Sequence, residues 1–363
     1  MNQDTKNTYG KDLGPIEHPL CKQLDRLVHS SVDRKNIFGV TLSVESGDRQ
    51  LAWTGASGNL SADDSFFIAS TTKLFITATM LKLRERSYIQ LTDPISRYLD
   101  SDLISGIHRF QGTDYSRDIT IKQLMAHTSG LPDYFQQKKA TGSSLQDDIV
   151  GGHDQAWSFT EMLEDVKLMK PHFPPGQSGR ALYSDTNYQL LGKIIEQVTE
   201  ENLEDVFQQF IYEPLELTNT YMFANGSHQT PAPLYYKRTT LHIPQAMASF
   251  GPDGGIVSTA KEMMRFLRAF FEGELFPKSY LTELCAWNRI FFPLQYGVGI
   301  AKFQLPRIFS PFKTPPELIG HSGLSGAFAY YCPEKDLYLT GTVNQIANPG
   351  LSYKLMLRIV HAA

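Results

Sequence analysis

Cysteine is scarce in this chain: three residues in 363, at positions 21, 285 and 332, fit no disulfide framework, no Cys-x-x-Cys redox pair and no cysteine-based metal site. Their odd count leaves one disulfide open, but buried, inert thiols are the expected state. No apolar run is long enough to cross a bilayer, and the polar stretch Met1 to Lys11 lacks a signal-peptide core. On this reading the chain has no membrane span and works in the cytoplasm, or outside it if a signal has been removed. An excess of positive charge is also missing. With 34 Lys and Arg against 38 Asp and Glu the net charge is -4, which leaves no basic footprint for nucleic acid. The sequence has no His-Glu-x-x-His zinc motif, phosphate loop or dinucleotide glycine pattern, so no metal or cofactor is expected. An α/β-hydrolase elbow is absent too. Gly176-Gln177-Ser178, Gly320-His321-Ser322 and Gly323-Leu324-Ser325 each begin Gly-x-Ser, but Arg180, Leu324 and Ala327 stand where the second glycine belongs.

What is present is an ordinary globular composition, 41% hydrophobic and 20% charged, in a chain longer than single cores usually grow, so two subdomains are the default. Leu20, Leu24, Leu27 and Val28 mark an amphipathic helix within residues 17–34. Phe38 to Ser46 and Arg49 to Gly55 flank Gly47-Asp48 as a β-hairpin. From Leu91 to Tyr235 helical segments dominate, at Ile121 to His127, Phe159 to Leu168, Asn187 to Thr199 and Leu203 to Ile211, and the polar, glycine-rich stretch Gln136 to Gln155 is a surface loop or lid, or else disordered. A helix follows at Met263 to Phe271. Strands return at Tyr296 to Gln304, Gly326 to Cys332 and Leu337 to Val343, the last two joined by a turn at Pro333 to Asp336, and Leu351 to Ala363 closes the chain as a helix. Strands at both ends with helices between predict a discontinuous α/β subdomain, 1–85 with 245–363, and an inserted helical subdomain, 86–244. Ligands favour such junctions.

The chemistry concentrates at Ser70-Thr71-Thr72-Lys73, between the apolar Phe66-Phe67-Ile68-Ala69 and the helical run Leu74 to Leu83. Residues three apart share a helix face, so the Lys73 amine can reach the Ser70 hydroxyl at the helix start. A serine hydroxyl attacks an acyl carbon usefully only when a base takes its proton, and Lys73 serves as that base if burial and the positive helix end disfavour its charged form. The same helix end offers N–H groups to a developing oxyanion. The pattern alone is weak, since Ser-x-x-Lys recurs at Ser258 to Lys261 and Ser310 to Lys313. Thr259 and Glu262 read as a capping box that gives Ser258 a structural reason, and Pro315-Pro316 stops a helix beyond Lys313. Only Ser70 opens a long helix after an apolar strand-like segment; a plain helix cap is its alternative.

Further motifs follow in order. Phe67 to Lys73, Leu124-Met125-Ala126-His127-Thr128-Ser129-Gly130-Leu131, Pro175-Gly176, Tyr183-Ser184-Asp185, Leu190-Leu191-Gly192, Pro214-Leu215, Gly254-Gly255 and His321-Ser322-Gly323 with Phe328-Ala329-Tyr330 and Pro333-Glu334-Lys335 succeed one another along the chain. Together they resemble the serine β-lactamase and penicillin-binding protein superfamily, on its class C β-lactamase and family VIII esterase side, from about Phe38 to the C-terminus. The resemblance implies an α/β plus all-α protein with the β-lactamase/transpeptidase-like fold: an antiparallel sheet flanked by helices, with an inserted helical subdomain.

By this resemblance Ser70 is the acylated nucleophile, Lys73 its base, and Tyr183 a proton relay whose phenol an adjacent ammonium would push down. A buried ring with a satisfied hydroxyl is the alternative for Tyr183. The N–H groups of Ser70 and Leu324 would form the oxyanion hole, with Gly323 letting backbone approach the substrate closely. Two residues depart from the pattern. Asp185 stands where asparagine is usual, and it would either hold Lys73 charged or bind a cationic substrate amine. His321 stands where lysine is common, and a neutral imidazole anchors a substrate carboxylate weakly. Asn344 faces the substrate or is a strand-end turn residue, and His127 belongs to a loop with a packing role. The expected activity is that of a cofactor-free serine hydrolase acting on a small-molecule ester, amide or lactam, foremost as an esterase or D-amino-acid peptidase. The alternatives are a D-Ala-D-Ala carboxypeptidase or class C-like β-lactamase, and a catalytically silent peptide-binding relative.

Overall fold

The computed structural model describes residues 18–139, 142–226, 230–309 and 315–363, so Met1 to Lys11 and the Ser-x-x-Lys at Ser310 to Lys313 lie outside the described residues. Eight strands form one antiparallel sheet: β1 (Gly39–Ser46), β2 (Ala52–Gly58), β3 (Asn288–Phe291), β4 (Leu294–Tyr296), β5 (Ala301–Phe303), β6 (Leu318–Ser322), β7 (Ala327–Cys332) and β8 (Leu337–Thr342). Their order is β3-β4-β5-β6-β7-β8-β1-β2. The six C-terminal strands are therefore a meander, and the N-terminal hairpin joins its last strand with Thr41 opposite Thr342. Six helices position the sheet and the site: α1 (Cys21–Ser31), α2 (Thr72–Glu85), α3 (Leu145–Val150), α4 (Asp185–Thr199), α5 (Ala260–Glu272) and α6 (Gly350–Ala362).

Side-chain alternation assigns the faces of the sheet. Val40, Leu42, Val44, Phe328, Tyr330 and Leu339 pack beneath α1 and α6, against Leu24, Val28, Leu355, Met356 and Ile359. The opposite face carries smaller residues, among them Ala327, Ala329 and Thr340, and this lets α5 lie close: Thr340 Oγ1 donates to the Ala260 carbonyl at 2.7 Å. From α5, Phe266 stacks on Phe75 of α2 with ring centroids 3.7 Å apart. Helix α2 is the centre of the molecule. Leu74, Phe75, Ile76, Ala78, Met80, Leu81 and Leu83 are all fully buried, as expected of a helix that is apolar on every side. One apolar cluster runs through α2, α4 and α5, and we propose that the parts 1–85 with 245–363 and 86–244 share it. Among the described residues no helix is long and apolar enough to cross a membrane.

Three expectations are corrected. Tyr296 to Gln304 is two antiparallel strands, β4 and β5, around a turn at Gly297-Val298-Gly299. The apolar pattern runs through the turn because Val298 and Ile300 are themselves buried. Gln136 to Gln155 is not only loop, since α3 lies within it, opened by a capping box in which Ser144 and Asp147 exchange side-chain-to-backbone bonds. At Thr259 only half of the expected box forms: its hydroxyl accepts from the Glu262 N–H at 3.1 Å, while the Glu262 carboxylate turns to the N–H of Asn219 at 2.9 Å.

The β4–β5 turn bears on α2 through Thr77, whose Oγ1 donates to the Gly299 carbonyl at 2.9 Å. Gly299 has φ +84°, and a Cβ there would lie 2.3 Å from Thr77 Oγ1. Gly299→Ala is expected to lower stability by about 2 kcal/mol or more, read as a fall in the thermal midpoint. An unchanged midpoint would show that the turn and α2 are not rigidly coupled.

Candidate active site

Ser70 sits in a single 3-10 turn, Ala69–Thr71, that leads into α2. Before it, Phe66 and Phe67 pair with Ser258 and Val257, and the Ile68 N–H donates to the Ile256 carbonyl at 3.0 Å. The chain then turns at Ala69, whose φ of +46° lies in the left-handed region that costs a non-glycine residue on the order of 1–2 kcal/mol. Two contacts from the end of β6 brace this turn. Ser325 Oγ donates to the Phe67 carbonyl at 2.6 Å, and Gly323 lies so near that a Cβ on it would stand 2.3 Å from the Ile68 carbonyl oxygen. The close approach that Gly323 permits is thus to the backbone of the nucleophile turn.

Lys73, one helical turn on, is fully buried. Its Nζ donates to Ser70 Oγ at 3.1 Å and to the Asp253 carbonyl at 2.7 Å, and it stands 2.7 Å from Asp185 Oδ1. Asp185 Oδ1 receives no aligned hydrogen bond, so the last contact is an ion pair rather than a directed bond. The rings of Tyr183 and Tyr188 lie 5.1 and 5.3 Å from Nζ and add their π faces to the ammonium's surroundings. Of the two roles open to Asp185 in the sequence, holding the lysine charge is the one this geometry contains.

Asp185 is the first residue of α4, and two further buried acids stand near it. Asp133 Oδ1 accepts from the N–H groups of Asp185 at 3.1 Å and Phe135 at 3.2 Å. Asp253 Oδ2 accepts from the Tyr134 hydroxyl at 2.7 Å and from Gln189 Nε2 at 3.1 Å. One buried cation cannot keep three buried carboxyls ionised. Burial, and then the charge of Asp185, push Asp133 up to about 8 and Asp253 well above the ordinary carboxylate range.

Tyr183 lies beside this group, its ring centroid 4.4 Å from that of His127. Burial and the Asp185 charge push its phenol well up, and a hydrogen bond with Ser70 offsets this only in part, so the expected lowering is reversed and the resting phenol keeps its proton. His321 Nδ1 is 2.9 Å from the Ser322 carbonyl, which makes that nitrogen the donor, and Nε2 is 3.0 Å from the Tyr296 hydroxyl. Burial and the Lys73 charge push His321 down to about 3, so it is neutral. His127 packs as its loop requires: Nδ1 accepts from the Ser184 N–H at 3.2 Å and lies 3.0 Å from Asn187 Nδ2. Asn344 takes the turn conformation, with φ +49° and its amide donating to the Pro233 carbonyl.

Ser70, Asp185 and Leu324 share the wall of one cavity. The lining does not include Lys73, Tyr183, His321, Gly323 or Asn344, which stand behind it or beside it. Apolar walls come from Phe135, from Ile149 and Val150 on α3, and from Ile243, Met247 and Phe250. The titratable residues of the lining are both acids, Asp185 and Asp253. Sequence reasoning missed Asp133, Asp253 and these walls; the one available signal was the turn-forming Pro252-Asp253-Gly254-Gly255. No group of three or more His, Cys, Asp or Glu among the described residues is arranged to hold a metal ion. Burial pushes the thiols of Cys285 and Cys332 up.

Comparison with known proteins places the chain in a family. The model of the family described as Beta-lactamase matches residues 24–360. A D-stereospecific amidohydrolase from Streptomyces sp. superposes with a TM-score of 0.74 and 26% identity over 92% of this chain and 97% of its own. A D-amino acid amidase from Ochrobactrum anthropi SV3 gives 0.76 and 21% over 95% and 98%. PbpX of Bacillus subtilis (strain 168) is 28% identical over 243 residues, 65% of this chain and 53% of that protein. The chain spans about half the length of the curated relatives it matches.

An unfolded Asp133 gives up its proton near 3.8 and the folded one near 8, so between those values the folded state alone holds the proton. Stability must fall as pH rises through that window, by roughly 1.4 kcal/mol per unit for one such group. Asp133→Asn is expected to remove this slope, so that urea unfolding finds the variant gaining on the parent between pH 5 and pH 7.5. An equal difference at both pH values would mean that Asp133 is ionised in the fold.

Proposed function

We propose, from the premise that this chain belongs to the β-lactamase family, that it is a serine hydrolase which forms an acyl-enzyme on Ser70 from amides or esters, with D-amino-acid amides as the foremost substrates. The observation that carries this is Ser70 Oγ at the wall of an apolar cavity with the Nζ of buried Lys73 3.1 Å away. In the first half-reaction Lys73 in its amine form takes the Ser70 proton as Oγ bonds to the carbonyl carbon, and the oxyanion is met by the N–H groups of Ser70 and Leu324. The C–N or C–O bond then breaks, and the leaving atom takes a proton back from Nζ. Water repeats the sequence on the serine ester and releases the acid. Tyr183, protonated at rest, donates toward the leaving atom rather than serving as the first base.

The D-amide preference is supported by the Streptomyces amidohydrolase, 26% identical along nearly its whole length. Carboxypeptidase and β-lactamase readings need an anchor for a substrate carboxylate. With acids as the titratable residues of the lining and His321 neutral, the described residues offer such a carboxylate no cation. This favours uncharged or cationic substrates.

Ser70→Ala is expected to lower kcat for p-nitrophenyl acetate and for D-phenylalanine amide by roughly 10³-fold or more, and to end labelling by a fluorophosphonate probe. A variant with near-parental turnover, or a parent protein that the probe does not label, would sink the assignment. A bulky residue at Ile149, as in Ile149→Trp, is expected to lower kcat/KM for phenylalanine derivatives while sparing acetyl esters. Equal losses on both would show that α3 does not shape acyl selection.

A further inference from the structure

We propose that Asp185 is a shared counter-ion: it holds the Lys73 ammonium at rest and takes the free amino group of the substrate during catalysis, so that substrate arrival itself releases the lysine to act as base. This rests on the reading of Ser70 as an acylated nucleophile and goes on to name the substrate class, amides or esters whose acyl part carries an unblocked amine beside an apolar side chain.

The argument begins with a difficulty in the resting site. Lys73 is 2.7 Å from a carboxylate and cannot take a proton from Ser70 while it is an ammonium. Asp185 is also part of the cavity wall, although the residue is 95% buried. Its Oδ1 receives no aligned hydrogen bond, because the directed bonds of Nζ go to Ser70 Oγ and to the Asp253 carbonyl. That oxygen is itself enclosed, so a second cation meets the carboxylate at its other oxygen, Oδ2, which is not among the enclosed atoms. Its neighbours do not compete for that role. Asp253 has given its carboxyl to Tyr134 and Gln189, and Asp133 faces the N–H groups of Asp185 and Phe135. Burial pushes both of these acids up, Asp133 to about 8 and Asp253 well above the ordinary carboxylate range.

An ammonium entering the cavity therefore meets Asp185 as its counter-ion, and Ser70 stands on the same wall. Two cations on one carboxylate repel each other in a medium with little water, and the balance is restored when Lys73 loses a proton. That proton passes to solvent water through the cavity: one substrate ammonium enters and one hydronium leaves, so the charge of the site is unchanged. Lys73 then takes the Ser70 proton as the Oγ–C bond forms, and it returns that proton to the nitrogen or oxygen that departs. The apolar walls at Phe135, Ile149, Met247 and Phe250 receive the side chain of the same acyl group. A substrate without the amine binds those walls but does not release the lysine, so it reacts through the small share of sites in which Lys73 is already an amine, and more slowly.

The experiment compares D-phenylalanine p-nitroanilide with 3-phenylpropionyl p-nitroanilide, which differ only in the amine, on the parent enzyme and on Asp185→Asn. The parent is expected to favour the amino substrate about tenfold to a hundredfold in kcat/KM, the range for a hydrogen bond to a charged group. In Asp185→Asn the ratio should collapse toward one from both sides, with the amino substrate losing and the desamino substrate gaining, because the lysine no longer has its partner. A loss merely through damaged structure would lower both. Equal losses on the two substrates, or a parent that does not distinguish them, would overturn the proposal; the second comparison needs no variant to fold. Fluorophosphonate labelling of Ser70 in the parent separates this failure from that of the broader reading. Labelling with no preference for the amine overturns only the role of Asp185. The absence of both labelling and turnover overturns the hydrolase assignment along with it.

Discussion

A lysine ammonium with no exposure to water has to be surrounded by acceptors, and this requirement organises the molecule around Lys73. Its acceptors come from three separate stretches of chain: Ser70 at the mouth of α2, the carbonyl of Asp253 in the Gly251–Asp253 turn, and Asp185 at the start of α4. None is a sequence neighbour of the others. Bringing them within 3.1 Å of one nitrogen fixes how the helical elements meet the sheet-bearing part of the chain. The same requirement limits the acids. With one cation to share, the buried acids crowd one another, and burial and the charge of Asp185 push Asp133 and Asp253 well above the ordinary carboxylate range.

The scaffold obeys the same economy of contact. Ala69 accepts a strained backbone because β6 leaves no alternative: Ser325 fastens the preceding carbonyl and Gly323 sits flush against the turn. A serine raised on such a bend is held by its surroundings rather than by its own preference, which is how backbone strain persists in folded proteins.

Much of this was legible in the residues. The Ser70 to Lys73 spacing let the amine reach the hydroxyl, and Gly47-Asp48 between two strand-like runs gave the N-terminal hairpin, as found. Periodicity failed where apolar residues kept their rhythm through a turn, at Gly297 to Gly299, and where a short capped helix stood in polar surroundings, at Ser144 to Val150. The site was legible in its side chains and hidden in its backbone. The carbonyl of Asp253 binds Lys73, and a carbonyl carries no letter of its own in a sequence. Protonation was hidden as well, since the reversal at Tyr183 comes from burial and the charge of Asp185, two residues along the chain, rather than from its own identity. The cavity walls at Phe135, Ile149, Ile243, Met247 and Phe250 come from three separate segments, so no pattern of spacing announces them.

Helix α3 closes its first turn with its own Ser144 and Asp147, and so it stands at the rim as a self-contained panel. Its outline can be recut without reopening the joinery around the lysine. Inheritance can then act on the two at different speeds: the chemistry is tied to residues from distant segments that have to change together, whereas the choice of guest depends on a few residues that can change singly. A lineage built on this plan would alter its diet many times before it altered its reaction.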